Sequence, residues 1–280
     1  MKSGGIEMKN FSNKYIFIYA AALVAVVAVI LSVVAMGLKN RQQENVRNEK
    51  MQTLLAAINV NTDRDGAEAL YKQYFTRELT VGTNGEVISE YDIAADNMVK
   101  GEVRAFVINL KDEQNKEKSG AKGAFPVYLF QKDGKSGYVI PTQGNGLWGP
   151  VYANIALDED FNTVVGVTFS HDSETPGLGA EITTEKFQAP FIGKQILDES
   201  GKVVSIAVKK HADPNGAHEV DAISGGTMTS NGVSAMLGDD LTRYQAFINN
   251  MLQGQAVEAV AEDAAEAPQE EANEKEVSNE

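Results

Sequence analysis

The 280-residue sequence contains no cysteine. That absence removes disulfide frameworks, cysteine nucleophiles, zinc ribbons and cysteine-ligated iron–sulfur clusters. Histidine is nearly as scarce, with only His171, His211 and His218 available, little material for a transition-metal site. Positive charge is also short: 25 Lys+Arg stand against 39 Asp+Glu, a formal net charge of −14. Nucleic-acid binding calls for a basic surface instead, so no nucleic-acid partner is expected. The acidity is uneven, because residues 253–280 hold nine carboxylates and one lysine and so account for −8 of it. This Ala/Glu-rich stretch has almost no large apolar side chains, cannot offset its ordering entropy and reads as a disordered, solubilising tail.

Residues 15–38 are the opposite extreme, 24 positions without a charge or a proline. As a helix they reach about 36 Å, enough to cross a hydrocarbon core of roughly 30 Å with some tilt. Tyr15 and Tyr19 mark one interface, and Lys14 and Lys39 bracket the run. A cleaved signal peptide is the rival, with Val34-Ala35-Met36-Gly37 as a weak cleavage-like site. The run exceeds the usual apolar region of about 7–15 residues, which favours an uncleaved single-pass anchor. Orientation stays open on charge, since Lys2, Lys9 and Lys14 precede the span and Lys39, Arg41, Arg47 and Lys50 follow it. The span has no acidic residue, so it forms no ion path by itself.

After the span, apolar spacing predicts helices over 46–58 and 66–79. Strands are expected at 125–131 and 137–141 around an Asp133-Gly134 hairpin turn, at 151–157 and 163–170 around the turn 158–162, and at 203–208. Residues 184–192 read as a short helix interrupted at Pro190. A final helix carries Val233, Met236, Leu237, Leu241, Tyr244, Phe247, Ile248 and Met251 on one face. The pattern is α+β, a mixed and largely antiparallel sheet domain with packed helices behind one transmembrane helix. The expected division is 1–14 before the span, 15–38 the span, 39–123 a membrane-proximal helical and strand region, 124–252 the main domain, and 253–280 the tail.

Two glycine-rich segments invite a phosphate reading. Gly144-Asn145-Gly146-Leu147-Trp148-Gly149 matches the dinucleotide pattern G-x-G-x-x-G, which works only when its last glycine opens a helix. Pro150 and an alternating strand follow instead, so no NAD site is expected. What remains is a loop carrying Leu147 and the single tryptophan, either to cover a planar ligand or to plug the core. The second segment is Asp221-Ala222-Ile223-Ser224-Gly225-Gly226-Thr227-Met228-Thr229-Ser230-Asn231-Gly232. Gly225 and Gly226 admit close backbone approach, and a helix capped by Thr229, Ser230 or Asn231 would direct its N-terminal amides at an anion. Hydroxyls of Ser224, Thr227, Thr229 and Ser230 add donors. A glycine-rich turn with a generous cap is the plain structural alternative.

The Asp221-x-x-Ser224-Gly225-Gly226-Thr227 pattern resembles the flavinylation motif of proteins that carry FMN through a phosphoester on its last threonine. Together with Gly146-Leu147-Trp148-Gly149-Pro150-Val151-Tyr152 and Glu174-Thr175-Pro176-Gly177-Leu178-Gly179, it is similar to the C-type subunit of the sodium-translocating NADH:quinone oxidoreductases. The likeness is strongest over residues 137–250 and does not cover the tail. Gly226 stands where many relatives have Ala. The resemblance implies an FMN-binding domain with FMN esterified to Thr227 through its phosphate. It implies that an FAD-dependent flavin transferase reads Asp221, Ser224, Gly225 and Gly226. It further implies one component of a larger electron-transfer complex in the bacterial inner membrane, with residues 1–14 cytoplasmic and 39–280 periplasmic. Leu147, Trp148 and Leu178 are expected to wall the flavin ring; Glu174, Thr175 and the amides near Gly177 and Gly179 are expected to bond its polar edge, with Thr229 nearby. Alternatives are the G-type subunit of the related Rnf electron-transport complex, which shares the flavinylation motif, and a non-redox envelope scaffold. No acid, base or metal ligand is assigned.

Overall fold

The computed structural model describes residues 12–254; the 253–280 tail lies almost wholly outside them, as does most of segment 1–14. Helix α1 (Asn13–Ala57) is continuous, and its most apolar 18-residue stretch has a mean hydropathy of 2.9. It is the one helix among the described residues long and apolar enough to cross a membrane. Chain contacts divide into a unit ending at Lys50 and a second beginning at Met51.

The second unit is built on one sheet. Its strands are β1 (Phe75–Gly82), β2 (Val87–Asp92), β3 (Asn97–Lys100), β4 (Ala124–Lys132), β5 (Lys135–Asn145), β6 (Pro150–Asp158) and β7 (Val164–His171). They lie in the order β3-β2-β1-β4-β5-β6-β7, with antiparallel neighbours throughout. The β4–β5 turn has Asp133 and Gly134 at φ 52° and 77°, the pair of positive values that a twist-matched two-residue hairpin needs. Alternation along β4 and β5 sends Phe125, Val127, Tyr138 and Ile140 to one face and Tyr128, Phe130 and Val139 to the other.

Each face has its own apolar cover. Met51, Leu54 and Leu55 at the end of α1 and Tyr71 of α2 (Ala67–Tyr74) lie on the second face. On the first lies α5 (Thr227–Arg243), which buries Val233, Met236, Leu237 and Leu241. Tyr244, Phe247 and Ile248 continue the expected stripe into the core beyond it. The short α4 (Glu185–Gln188) and the 3-10 turn Ala189–Phe191 add Phe187 and Phe191. Helix α3 (Leu110–Lys118) precedes β4 and is capped by Asn109, whose side chain accepts from the amides of Lys111 and Asp112. Strands β8 (Ala207–Lys209) and β9 (Glu219–Asp221) form a separate parallel pair.

Three expectations need correction. The helix expected over 66–79 stops at Tyr74, and Phe75–Gly82 becomes the strand between β2 and β4; its aromatic and β-branched residues suit a sheet position buried on both faces. The strand expected over 203–208 is reduced to Ala207–Lys209, because Ser205 takes φ 64° and the amides of both Val204 and Ser205 turn to Ile196 O. Strand β1 pairs with β4, so residues on both sides of the expected 123/124 boundary contribute to one sheet. Helix α5 begins at Thr227 rather than after a cap at Thr229, Ser230 or Asn231.

Asp240 fixes the far end of α5. Buried at 4% exposure, it accepts from the Gln143 amide of β5 at 2.7 Å and from Gln114 of α3 at 2.9 Å, and it pairs with Arg243. Arg243 in turn meets Glu117 at 2.6 Å. Desolvation outweighs the Gln143 amide, Arg243 and Gln114, and raises the Asp240 carboxyl to about 6. An exposed aspartate titrates near 3.9. The group therefore favours folding fully below about pH 4 and loses that contribution as pH rises through about 6. The melting temperature of the wild type minus that of Asp240→Asn is accordingly expected to be greater at pH 4.5 than at pH 7.5. Paired thermal melts at the two pH values check the sign.

Candidate functional site

Three segments distant in sequence meet at one end of the sheet. The first is the β5–β6 turn, closed by a 2.8 Å bond from Gly146 N to Gly149 O. Pro150 then enters β6 directly, so the glycine pattern closes a hairpin and opens no helix. Trp148 is 67% exposed and Leu147 50%; the loop presents both rather than plugging the core.

The second segment follows β7. Leu178 N bonds Thr175 O at 3.1 Å, with Gly177 at φ 75°. This is the type II arrangement that Pro at the second position and Gly at the third predict. The third segment is the start of α5, where Gly225 lies at φ 78° and Gly226 is the N-cap with no side-chain cap bond. An uncapped helix start leaves its first amides without intrahelical partners and concentrates partial positive charge there.

Between these segments lies a cleft of ≈ 130 Å³, lined by Leu147 and Trp148, by Glu174, Thr175, Leu178 and Gly179, and by Gly225, Gly226, Thr227, Met228 and Thr229. Thr227 is exposed there. The other candidate hydroxyls differ. Thr229 is 1% exposed and donates to Glu174 Oε2 at 2.6 Å. Ser230 is fully buried and its oxygen accepts from Ile223 N at 3.1 Å.

Glu174, expected at the polar edge of a ligand, has partners within the fold for both of its oxygens. Oε1 accepts from Trp148 N at 2.9 Å while Oε2 takes the Thr229 hydroxyl, so each oxygen is committed inside the fold. Its own amide donates to His171 Nδ1 at 3.2 Å. Burial works against the charge. The bonds from Thr229, Trp148 and Leu147 and the nearness of His171 nevertheless hold the carboxyl below the usual range.

Asp221 and Ser224 are brought to a neighbouring space, a cleft of ≈ 370 Å³ that they share with Glu181, Lys186, Phe187 and Gly177. The expected residues thus split between two sides of the 221–226 loop. Met228, 60% exposed, lines the first cleft and has no counterpart among the expected residues. Its outward direction follows only once α5 is known to start at Thr227.

Glycine sets the closeness of the approach. A Cβ on Gly179 would fall 2.2 Å from Glu174 Oε2 and one on Gly146 2.4 Å from Glu174 Oε1. On Gly225 it would meet Leu178 Cδ2 at 2.8 Å, filling the space beside Thr227. Uncapped amides, an exposed hydroxyl and apolar neighbours make a donor set that fits a phosphate attached to a flat apolar group.

Residues 146–242, which contain all three segments, match the family model of the FMN-binding domain. This defines the class as an FMN-binding-domain protein. The chain is 32% identical over 226 residues to the C-type subunit of Na(+)-translocating NADH-quinone reductase from Vibrio vulnificus, covering 80% of this chain and 89% of that one. To the corresponding protein of Neisseria meningitidis it is 34% identical, covering 81% and 88%. The crystal structure of the same reductase component from Parabacteroides distasonis superposes with a TM-score of 0.65 at 37% identity, over 75% of this chain and 96% of that one. The chain belongs to the family of C-type subunits of Na(+)-translocating NADH-quinone reductase.

The fit of α5 against β5 can be tested with two glycines of the same helix. A Cβ on Gly232 would lie 2.2 Å from Asn145 O, whereas nothing lies within 4 Å of one on Gly238. The helix-propensity gain of Gly→Ala is about 1 kcal/mol, and forcing a backbone apart costs about 1–3 kcal/mol. Gly238→Ala is expected to stabilise, and Gly232→Ala to gain nothing or to destabilise, by up to about 2 kcal/mol net. Urea denaturation midpoints read both.

Proposed function

We propose that the chain is an electron-transfer subunit that carries FMN esterified through its phosphate to Thr227, within a membrane NADH:quinone oxidoreductase that exports Na⁺. The observation that carries this reading is the exposed Thr227 hydroxyl at the uncapped start of α5, facing a cleft. The family supports the assembly with other subunits of the complex. It does not favour the Rnf-type or scaffold alternatives.

The amides at the α5 N-terminus would receive the phosphate oxygens, and Gly225 and Gly226 would let them approach. Leu147, Trp148, Leu178 and Met228 would cover the ring. The cleft of ≈ 130 Å³ is well below the roughly 300–1,000 Å³ of an enclosing ligand pocket. It suits the phosphate and the start of the polyol, leaving the ring across the exposed apolar rim. Bound there, FMN supplies redox chemistry with its ring chemically unmodified.

Attachment requires a Thr227 Oγ–P bond to form as the anhydride of FAD breaks and AMP leaves. A threonine hydroxyl is a weak nucleophile without a base; the cleft lining includes no imidazole or amine, and its one carboxylate, Glu174, has its oxygens engaged by Trp148 N and Thr229. His218 is engaged elsewhere, its Nδ1 2.7 Å from Gln195 O. A separate FAD-dependent flavin transferase fits these facts, with Asp221 and Ser224 open to it from the neighbouring cleft. In the proposed topology residues 15–38 cross the bacterial inner membrane once, and the domain lies on the periplasmic side.

Protein produced with the transferase is expected to stay yellow after denaturation and washing. Its mass spectrum is expected to place FMN minus water on the Thr227 peptide, and Thr227→Ala to lose both signals. An unmodified, colourless wild type overturns the reading.

A further inference from the structure

Glu174 is the only formally charged side chain among the residues lining the Thr227 cleft. An anion-binding cleft ordinarily gathers lysine or arginine; this one holds a carboxylate. The carboxylate is 4% exposed, and its hydrogen bonds to Trp148 N at 2.9 Å and Thr229 Oγ1 at 2.6 Å join the β5–β6 loop to α5 through the segment after β7. Glycine stands at 146 and 179, where any Cβ would collide with its oxygens, so the surrounding backbone is shaped around this group. No salt bridge to Glu174 is found among the described residues; hydrogen bonds and the nearby His171 hold its charge.

We propose that Glu174 is a positioning residue that fixes the Trp148 loop over the cleft, and that its fixed negative charge lowers the reduction potential of a flavin held there. The inference rests on the FMN reading. Reduction adds an electron to the ring, and a carboxylate with no lysine or arginine partner in a partly desolvated cleft disfavours that added charge. The bonds to Trp148 and Thr229 keep the carboxylate in place, and among the described residues no lysine or arginine pairs with it.

Two variants separate charge from tether. Glu174→Gln keeps the shape: its oxygen still accepts from Trp148 N, and its amide donates to Thr229 Oγ1. Glu174→Ala removes tether and charge together. On protein whose FMN load has been verified by mass, a redox titration of Glu174→Gln is expected to shift the equilibrium toward reduced flavin on the order of tenfold. Glu174→Asp is expected to remain near wild type. On flavin-free protein, the time-resolved fluorescence anisotropy of the only tryptophan reads the loop directly. Glu174→Ala is expected to lose anisotropy on the nanosecond scale while Glu174→Gln retains it.

A wild-type titration for Glu174→Gln overturns the electrostatic role, and wild-type anisotropy for Glu174→Ala overturns the positioning role. Should Thr227 carry no flavin, the mass spectrum reports that failure separately and the anisotropy still decides the tether.

Discussion

The site depends on how closely α5 can lie against β5. A helix start serves a ligand only if its amides are left free and held still, and free amides give no anchorage of their own. Here the anchorage comes from further along the helix. Gly232 admits the backbone of Asn145, and Asp240 receives the amide of Gln143. Both partners belong to β5, whose end leads directly into the turn carrying Trp148. One strand therefore positions the apolar loop and the helix that presents Thr227. The buried stripe from Val233 to Leu241 holds the pair together without using any group that faces the cleft.

Much of this is legible in the sequence. Asp133-Gly134 and Thr175-Pro176-Gly177 are local instructions, because each needs a backbone conformation that few other residues accept, and both turns form. The α5 stripe follows from its helical period, and the antiparallel α+β class from short connections between strands. Residues 66–79 mislead because Leu70, Tyr74, Phe75 and Leu79 satisfy a helical spacing for one turn too many. What ends the helix is the demand of β2 and β4 for a strand between them, which no local pattern states. Strands β2 and β3 and helix α3 are short or polar and carry too little periodicity to mark. Glu174 can be located in the sequence but its role cannot, since its partners lie 26 and 55 positions away.

The electrostatics of the cleft bear on why the proposed link is covalent. A reversible phosphate site draws affinity from charge-assisted bonds to lysine or arginine. Helix-start amides alone contribute about 0.3–1 kcal/mol near a surface, and the lining adds a carboxylate rather than a cation. Such a cleft would retain free FMN poorly. An ester removes the need for affinity, and the residues near the phosphate are then free to serve the ring instead.

The exposure of the apolar rim follows the same logic. A carrier that receives and passes electrons has to present its cofactor to partners, whereas an enzyme handling reactive intermediates encloses it. Trp148, Met228 and Leu147 are each at least half exposed, a costly arrangement in a domain whose sheet is covered on both faces. Enclosing the ring would bury these side chains and tighten binding, at the expense of access. In the proposed ester the phosphate is fixed at Thr227, and loss of the cofactor would no longer depend on how much of the ring is buried. The surface can stay open, and the remaining demand, that the ring have a defined platform, falls on the loop that Glu174 ties to the fold.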